Sequence, residues 1–345
     1  MCAVVDEEVR QVRGATLWEG AIRVGRNLPN LAISLSGEGA DAEEIESALS
    51  RVFDALTEKF IDLSMDELGK TPASFAWLQL GSLGRRDRAL SGDQDHALIH
   101  ADETTSVDSH FGELAERVVA GLEAAGIPRC PSNVMATHPG FRQSMDVWLN
   151  RLRVWMDEAE PSAFYSEIAL DYRKTAGDLD DLVPALDEIA RSARHNLPFL
   201  RRLARLATYQ HPPLGFFGNI EVADIGGGVE VFDVKTTALL PITELARFFA
   251  LEQGIATPST YDRLRLVGAS ESEWAESGQS LDQAHRVLQN VRIQHQLRQV
   301  ARGLAVDNLI NPSEFGSEVV RTIKESLHTI RRVQAGVQNW IDWTL

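Results

Sequence analysis

Residues 81–96 read Gly-Ser-Leu-Gly-Arg-Arg-Asp-Arg-Ala-Leu-Ser-Gly-Asp-Gln-Asp-His, or GSLGRRDRALSGDQDH. The stretch follows a short apolar and aromatic run, Ser74 to Leu80 (SFAWLQL), which stops at Gly81 and reads as a buried strand. A strand that ends in Gly-Ser and turns into a helix presents backbone N–H groups to an anion. The missing Cβ at Gly81 permits close approach, and Ser82 adds a hydroxyl donor. Asp93 to His100 (DQDHALIH) is the next expected strand, and its period of two puts Asp93 and Asp95 on one face. Two such carboxylates repel by roughly 1 to 4 kcal/mol at about 4 Å. A divalent cation turns that repulsion into coordination, and oxygen-only ligands point to Mg²⁺ or Mn²⁺.

Upstream, Asp41-x-x-Glu44 is a capping box, followed by Ile45, Leu49, Val52, Phe53, Leu56, Phe60 and Leu63 at helical spacing. Before it, Glu7 to Ser36 reads as helix interrupted around Gly25 and Pro29, making residues 1–73 a helical lead-in. Downstream, a helix is expected from about Ser109, ending at Gly126-Ile127-Pro128. Another covers DVWLNRLRVWM. The run Phe164 to Arg173 (FYSEIALDYR) alternates, which predicts a third strand carrying Asp171 and Arg173 on one face. A long helix is expected from about Asp180 to Gln210, then a hairpin in NIEVADIGGGVEVFDVK around Gly226-Gly227-Gly228. Asp233 and Lys235 alternate on one face of its second strand. Beyond Pro241 the pattern is helical, with segments near Thr243 to Gln253, Leu281 to Arg302 and Pro312 to Trp343. The expected boundaries fall near residues 73 and 240. They divide the chain into a helical N-terminal segment (1–73), a mixed α+β domain (74–240) and a helical domain (241–345).

The chain has 345 residues, 44% hydrophobic and 24% charged, the composition of a folded globular protein with room for two or three domains. No apolar stretch is long enough to span a membrane. The N-terminus carries acids where a secretion signal needs a basic segment, so a cytoplasmic protein is expected. Lys plus Arg total 34 against 50 Asp plus Glu, a net charge of −16 that disfavours nucleic acid as a partner. Cys2 and Cys130 are the only cysteines, and neither context suggests a metal or disulfide framework. His96, His100 and His138 read as packing or hydrogen-bonding histidines rather than ligands.

The motif resembles the nucleotidyltransferase superfamily related to DNA polymerase β, whose pattern is Gly-Ser, a gap of about ten residues, Asp-x-Asp and a later third carboxylate. Here Ser82 precedes Asp93 by 11 residues. The chain is also similar to protein-PII uridylyltransferase and glutamine synthetase adenylyltransferase. It resembles most the bacterial nucleotidyltransferases often fused to CBS or cyclic-nucleotide-binding domains, whose motif is G-S-x-G-R-R-E followed by T-D-Q-D-N-A-L. Gly81, Ser82, Gly84, Arg85, Arg86, Asp93, Gln94, Asp95, Ala97 and Leu98 match it, whereas Asp87 and His96 stand where that group has Glu and Asn. CPSNVMATHPGFRQSMDVW, LDYRKTAG, PPLGFFG and FDVKTTALLPITELAR resemble further stretches of the same group, and the likeness covers roughly residues 40–335.

The resemblance implies an α+β fold: a polymerase β-like mixed sheet with flanking helices and a C-terminal helical bundle that serves substrate binding. It implies Mg²⁺- or Mn²⁺-dependent transfer of a nucleoside monophosphate from a nucleoside triphosphate to a hydroxyl, of uridylyl- or adenylyltransferase type, with a regulatory protein or a small molecule as acceptor. Asp93, Asp95 and Asp171 are the expected catalytic and metal-binding carboxylates. Gly81, Ser82, Gly84, Arg85, Arg86, Arg173 and Lys235 are the expected nucleotide-binding residues. The alternative is a nucleotide-sensing or protein-interaction module in signal transduction, with little turnover.

Overall fold

The N-terminal acids and apolar periodicity of the first 70 residues produce four helices. In the computed structural model, which describes residues 2–102, 104–157, 168–216 and 218–344, these are α1 (Cys2–Gly14), α2 (Trp18–Arg26), α3 (Leu28–Gly37) and α4 (Ala42–Leu68). The capping box forms as expected. Asp41 Oδ1 accepts from the Glu44 N–H at 2.9 Å, and Glu44 Oε2 accepts from the Asp41 N–H at 3.0 Å. The apolar stripe from Ile45 to Leu63 is buried, and α4 packs on α1 and α2.

Two central strands follow, β1 (Phe75–Gln79) and β2 (His96–His100), separated by the short helix α5 (Gly81–Arg85). Both strands are buried along their whole length, which explains why β1 reads as a continuous apolar run rather than a half-polar one. Helix α6 (Thr105–Ala124), strand β3 (Arg142–Ser144), helix α7 (Met145–Asp157) and strand β4 (Arg173–Gly177) complete the sheet region. The order is β3-β2-β1-β4. β1 pairs antiparallel with β2, Gln79 opposite His96, and antiparallel with β4, Gln79 opposite Arg173. β2 pairs parallel with β3. This is the mixed sheet with flanking helices that the sequence predicts.

The third strand differs from expectation. β4 begins at Arg173, while Ile168 and Ala169 are helical and Leu170 to Asp171 turn; the expected part at 164–167 lies outside the described residues. The alternation through Tyr172 reflects a buried turn, in which Ala169, Leu170, Asp171 and Tyr172 all face the interior.

The expected long helix after Asp180 is also broken. α8 (Leu182–Ser192) and α9 (Leu197–Tyr209) flank a 3₁₀ turn at Ala193–His195. Asn196 caps α9, its side chain accepting from the Phe199 N–H at 3.0 Å, and Pro198 enters the first turn. A helix cannot run through that pair, because the proline lacks the N–H that continuity needs and restricts the residue before it.

By internal packing the chain forms two compact units, Met1–Ile189 and Ala190–Leu345. The helical lead-in packs on the sheet region, α4 lying against α6 and β4. The hairpin, β5 (Ala223–Asp224) and β6 (Glu230–Asp233), forms around its glycines but belongs to the second unit. β6 pairs there with a strand that the helical pattern concealed, β7 (Leu309–Ile310). That unit also holds α9 together with α10 (Leu240–Glu252), α11 (Thr260–Gly268), α12 (Ala275–Ala301) and α13 (Ser317–Thr344), with β7 lying between the last two in sequence. Phe248, Phe249 and Trp274 pack in its core, Phe249 stacked on Trp274 at 4.6 Å.

Gly84 of α5 is a point of closest approach. A Cβ there would lie 1.8 Å from the carbonyl oxygen of Asp171 and 2.9 Å from that of Gln79, both main-chain atoms that cannot swing aside. Gly84→Ala should therefore destabilise the first unit by about 3 kcal/mol, a fall of roughly 6 to 12 °C in its melting temperature. Gly14→Ala, which opens onto empty space, is the control and should melt close to wild type. Equal melting of the two variants in a circular dichroism scan would contradict the close packing of α5.

Candidate functional site

The chain leaves β1 through Leu80 into α5, whose first residue, Gly81, has φ +53°. Leu80 donates its N–H to the carbonyl of Asp95 at 2.9 Å, which ties this turn to the approach of β2. The Asp-Gln-Asp-His stretch runs extended into β2, and its alternation is the feature that the sequence predicts. Gln94 and His96 point inward and are fully buried, while Asp93 and Asp95 are half-buried on the other side. The strand itself starts only at His96, so the two aspartates lie just before it.

The inward residues show what holds the aspartates in place. Gln94 donates its main-chain N–H to Pro128 O at 3.1 Å and its side-chain amide to Ile127 O at 2.8 Å. His96 donates its main-chain N–H to Val134 O at 3.1 Å. On the His96 ring, Nδ1 accepts from the Ala136 N–H at 3.0 Å and Nε2 faces Gln94 Oε1 at 3.3 Å, which makes the neutral Nε2–H tautomer the one that satisfies both contacts. Segment 128–136 is thus laced alongside 93–96.

Burial lowers the His96 pKa to about 3. Its unfolded value is near 6.5, so the unfolded chain binds the extra proton first. This histidine's contribution to stability is complete above pH 6.5 and is lost as pH falls toward 3. The loss should run at about 1.4 kcal/mol per pH unit in that window. Urea unfolding between pH 7.5 and 5 should show a steeper decline for wild type than for His96→Asn, which keeps an amide but no titrating group. Parallel slopes would mean that the ring is not held neutral.

Within segment 128–136, Cys130, Pro131, Ser132 and Asn133 form a turn closed by the Asn133 N–H donating to Cys130 O at 3.1 Å, with Asn133 at φ +58°. The turn delivers the buried Cys130 thiol to the aspartates. Among the described residues, one trio of acid, thiol or imidazole donors gathers closely enough to hold a cation: Asp93, Asp95 and Cys130, each offering an atom within 4.8 Å of the others. Burial pushes the thiol's pKa up to about 12, with the charge of Asp95 and a hydrogen bond to it adding to the effect. In the absence of metal, Cys130 is therefore a neutral S–H group beside the carboxylates. Gly81 completes the cradle, since a Cβ there would lie only 3.1 Å from Asp95 Oδ2. The carboxylate pair, kept open on the Gly81 side, fits a divalent ion.

Asp171, the expected third carboxylate, is not gathered into this trio. It is fully buried, and its Oδ2 accepts from Arg85 Nη1 at 2.7 Å. Arg85 Nε also donates to Asp87 at 2.9 Å, so one guanidinium bridges two buried carboxylates. Arg173, opposite Gln79 on β4, forms a bidentate pair with Asp54 of α4 at 2.6 and 2.9 Å and donates to Leu83 O at 3.0 Å. Both arginines thus brace α5 from beneath. Arg86 is exposed and caps α5 in the left-handed conformation. Ser82 is half-buried in the first turn of α5, and its carbonyl accepts from the Asp87 N–H at 3.1 Å. Lys235 lies in the second unit, where Asp233 Oδ1 accepts its N–H at 2.9 Å.

Cys130 is the residue that reading the sequence misses. No spacing rule links it to Asp95; the signal is three-dimensional, the parallel bridge between Gln94 and Arg129.

No helix among the described residues is long and apolar enough to cross a membrane. No curated protein matches the chain significantly. Two family models do match. The model described as "Putative nucleotidyltransferase DUF294" covers residues 26–162, including Gly81, Asp93, Asp95 and Cys130 but stopping short of Asp171. The model described as "Putative nucleotidyltransferase substrate binding domain" covers residues 198–340, within the second unit. With both models matched in order along one chain, and with an Asp-x-Asp pair seated beside a Gly-Ser turn at the end of β1, the protein belongs to this nucleotidyltransferase family.

Proposed function

We propose that the protein transfers a nucleoside monophosphate from a nucleoside triphosphate to a hydroxyl group, using a divalent cation held by Asp93 and Asp95. The observation that carries this reading is the convergence of the two carboxylates with Gly81 where β1 ends, in a chain matched by nucleotidyltransferase models. In the reaction, the acceptor oxygen bonds to the α-phosphorus while the bond from that phosphorus to the β-phosphate's bridging oxygen breaks. Pyrophosphate leaves with that oxygen, and the hydroxyl proton passes to solvent. A cation at this site would neutralise phosphate charge and acidify the attacking hydroxyl.

The chain's own residues do the positioning. Asp93 and Asp95 hold the cation; Gln94 and His96, anchored inward, fix the spacing between them. Gly81 leaves room for the triphosphate and the Ser82 hydroxyl donates to it. Arg86, exposed at the end of α5, contributes positive charge toward phosphate in this reading. Arg85 and Arg173 act on substrate only through α5, which they hold against Asp171 and Asp54. The second unit carries the stretch matched by the substrate-binding model, to which recognition of the acceptor is assigned. The acidic balance of the chain favours a protein or small-molecule hydroxyl over a nucleic acid end.

Incubation with each of the four α-labelled nucleoside triphosphates, Mg²⁺ or Mn²⁺, and cell lysate tests this reading. Label on an acceptor together with released pyrophosphate is the expected outcome. Tight nucleotide binding with no pyrophosphate from any of the four would instead support a sensor.

A further inference from the structure

We propose that Cys130 is a sulfur donor to the Asp93 and Asp95 cation site, so that the site takes thiophilic divalent ions such as Zn²⁺ or Cd²⁺ in addition to Mg²⁺ or Mn²⁺. The inference deepens the preceding reading and rests on its assignment of the two aspartates. The thiol offers its sulfur within 4.8 Å of an oxygen from each carboxylate, a grouping that a small side-chain adjustment would close around one ion. It is also held there. The Asn133 N–H closes the turn on Cys130 O, Gln94 pairs with Arg129 on one side, and His96 takes Val134 O on the other.

Oxygen donors alone match hard cations, whereas thiolate sulfur selects borderline and soft ones. A mixed O,O,S set therefore has two modes. A hard ion is held by the carboxylates, with the thiol left as a protonated neighbour. A thiophilic ion also bonds to sulfur; the metal–sulfur bond replaces the S–H bond, the proton goes to buffer, and no electron is transferred. The consequence is a site whose occupancy responds to zinc or cadmium, with Cys130 setting the discrimination.

The experiment is a titration of the full chain with Cd²⁺, read by ultraviolet thiolate-to-metal charge transfer, in wild type, Cys2→Ser and Cys130→Ser. Mn²⁺ binding is measured alongside by electron paramagnetic resonance. The expected result is a charge-transfer band saturating at one Cd²⁺ per chain in wild type and in Cys2→Ser. Cys130→Ser should lose the band and about tenfold or more in Cd²⁺ affinity, while binding Mn²⁺ much as wild type does. A ¹¹³Cd magnetic resonance spectrum of the Cys2→Ser chain provides a second readout that leaves Cys130 intact, and a sulfur-shifted resonance is expected. A band that survives in Cys130→Ser, or an all-oxygen cadmium shift, overturns the inference. If Mn²⁺ binds and Cd²⁺ gives no band, the sulfur assignment fails and the aspartate pair stands. If neither ion binds wild type, both fail.

Discussion

Replacing both Asp93 and Asp95 by alanine should reduce metal-dependent pyrophosphate release by about 10³-fold or more, since even one preorganised electrostatic contact at a reacting phosphoryl or acyl centre is worth 10² to 10³. The same double variant should melt within about 2 to 4 °C of wild type, corresponding to about 1 kcal/mol. Acids retained for packing would behave oppositely, because their loss would lower stability and leave any residual chemistry proportionate to the folded fraction. The two half-buried carboxylates, within 4.8 Å of each other, repel one another when no cation is bound. Their removal relieves that repulsion, which offsets the loss of contacts such as that of Asp95 with Cys130. A stable but inactive protein is the expected pairing. An unfolded variant, or a stable one with unchanged pyrophosphate release, would reject the assigned role.

The second large effect concerns Arg85. Its guanidinium forms ion pairs with both Asp171, fully buried, and Asp87, 3% exposed. Arg85→Met preserves most of the side-chain volume but takes the positive charge from both. Breaking a buried pair by removing one member typically costs 3 to 5 kcal/mol, because the remaining charge stays desolvated. The first unit should therefore lose about 10 °C in melting temperature. Arg85→Lys should recover only part of it, since an ammonium group lacks the planar fork that reaches two carboxylates at once. A melting curve of Arg85→Met that overlays wild type would show that α5 is held by other means. The variant also separates two roles for this arginine. A phosphate ligand would affect nucleotide affinity with little change in stability, whereas a brace affects stability first.

The first unit was legible in the sequence wherever a short-range rule governs. The capping box at Asp41 and Glu44, the stripe from Ile45 to Leu63, the buried run Phe75 to Gln79 and the turn at Gly81 each follow from residues a few positions apart. The two-residue alternation of Asp93 to His96 was legible for the same reason, and it correctly separates the anchors Gln94 and His96 from the paired acids. What escaped depends on tertiary contacts. Leu170 to Tyr172 alternate like a strand, yet the chain turns there because Asp171 must meet Arg85 and its carbonyl must fit over Gly84. β7 is two residues long and exists because β6 offers it an edge. Cys130 reaches the aspartates only through the parallel lacing of 128–136 against 93–96. The break at Asn196-Leu197-Pro198 was readable in principle, since the proline is visible in the sequence, but helical periodicity on both sides masked it.

The central claim is that Asp93 and Asp95 together hold a divalent cation with nucleotide. A Mn²⁺ titration followed by electron paramagnetic resonance, with each nucleoside triphosphate present in turn, tests it without knowledge of the acceptor. Wild type should bind Mn²⁺ with at least one triphosphate far more tightly than the Asp93→Ala, Asp95→Ala double variant does. Equal Mn²⁺ affinity in the two folded proteins would contradict the account.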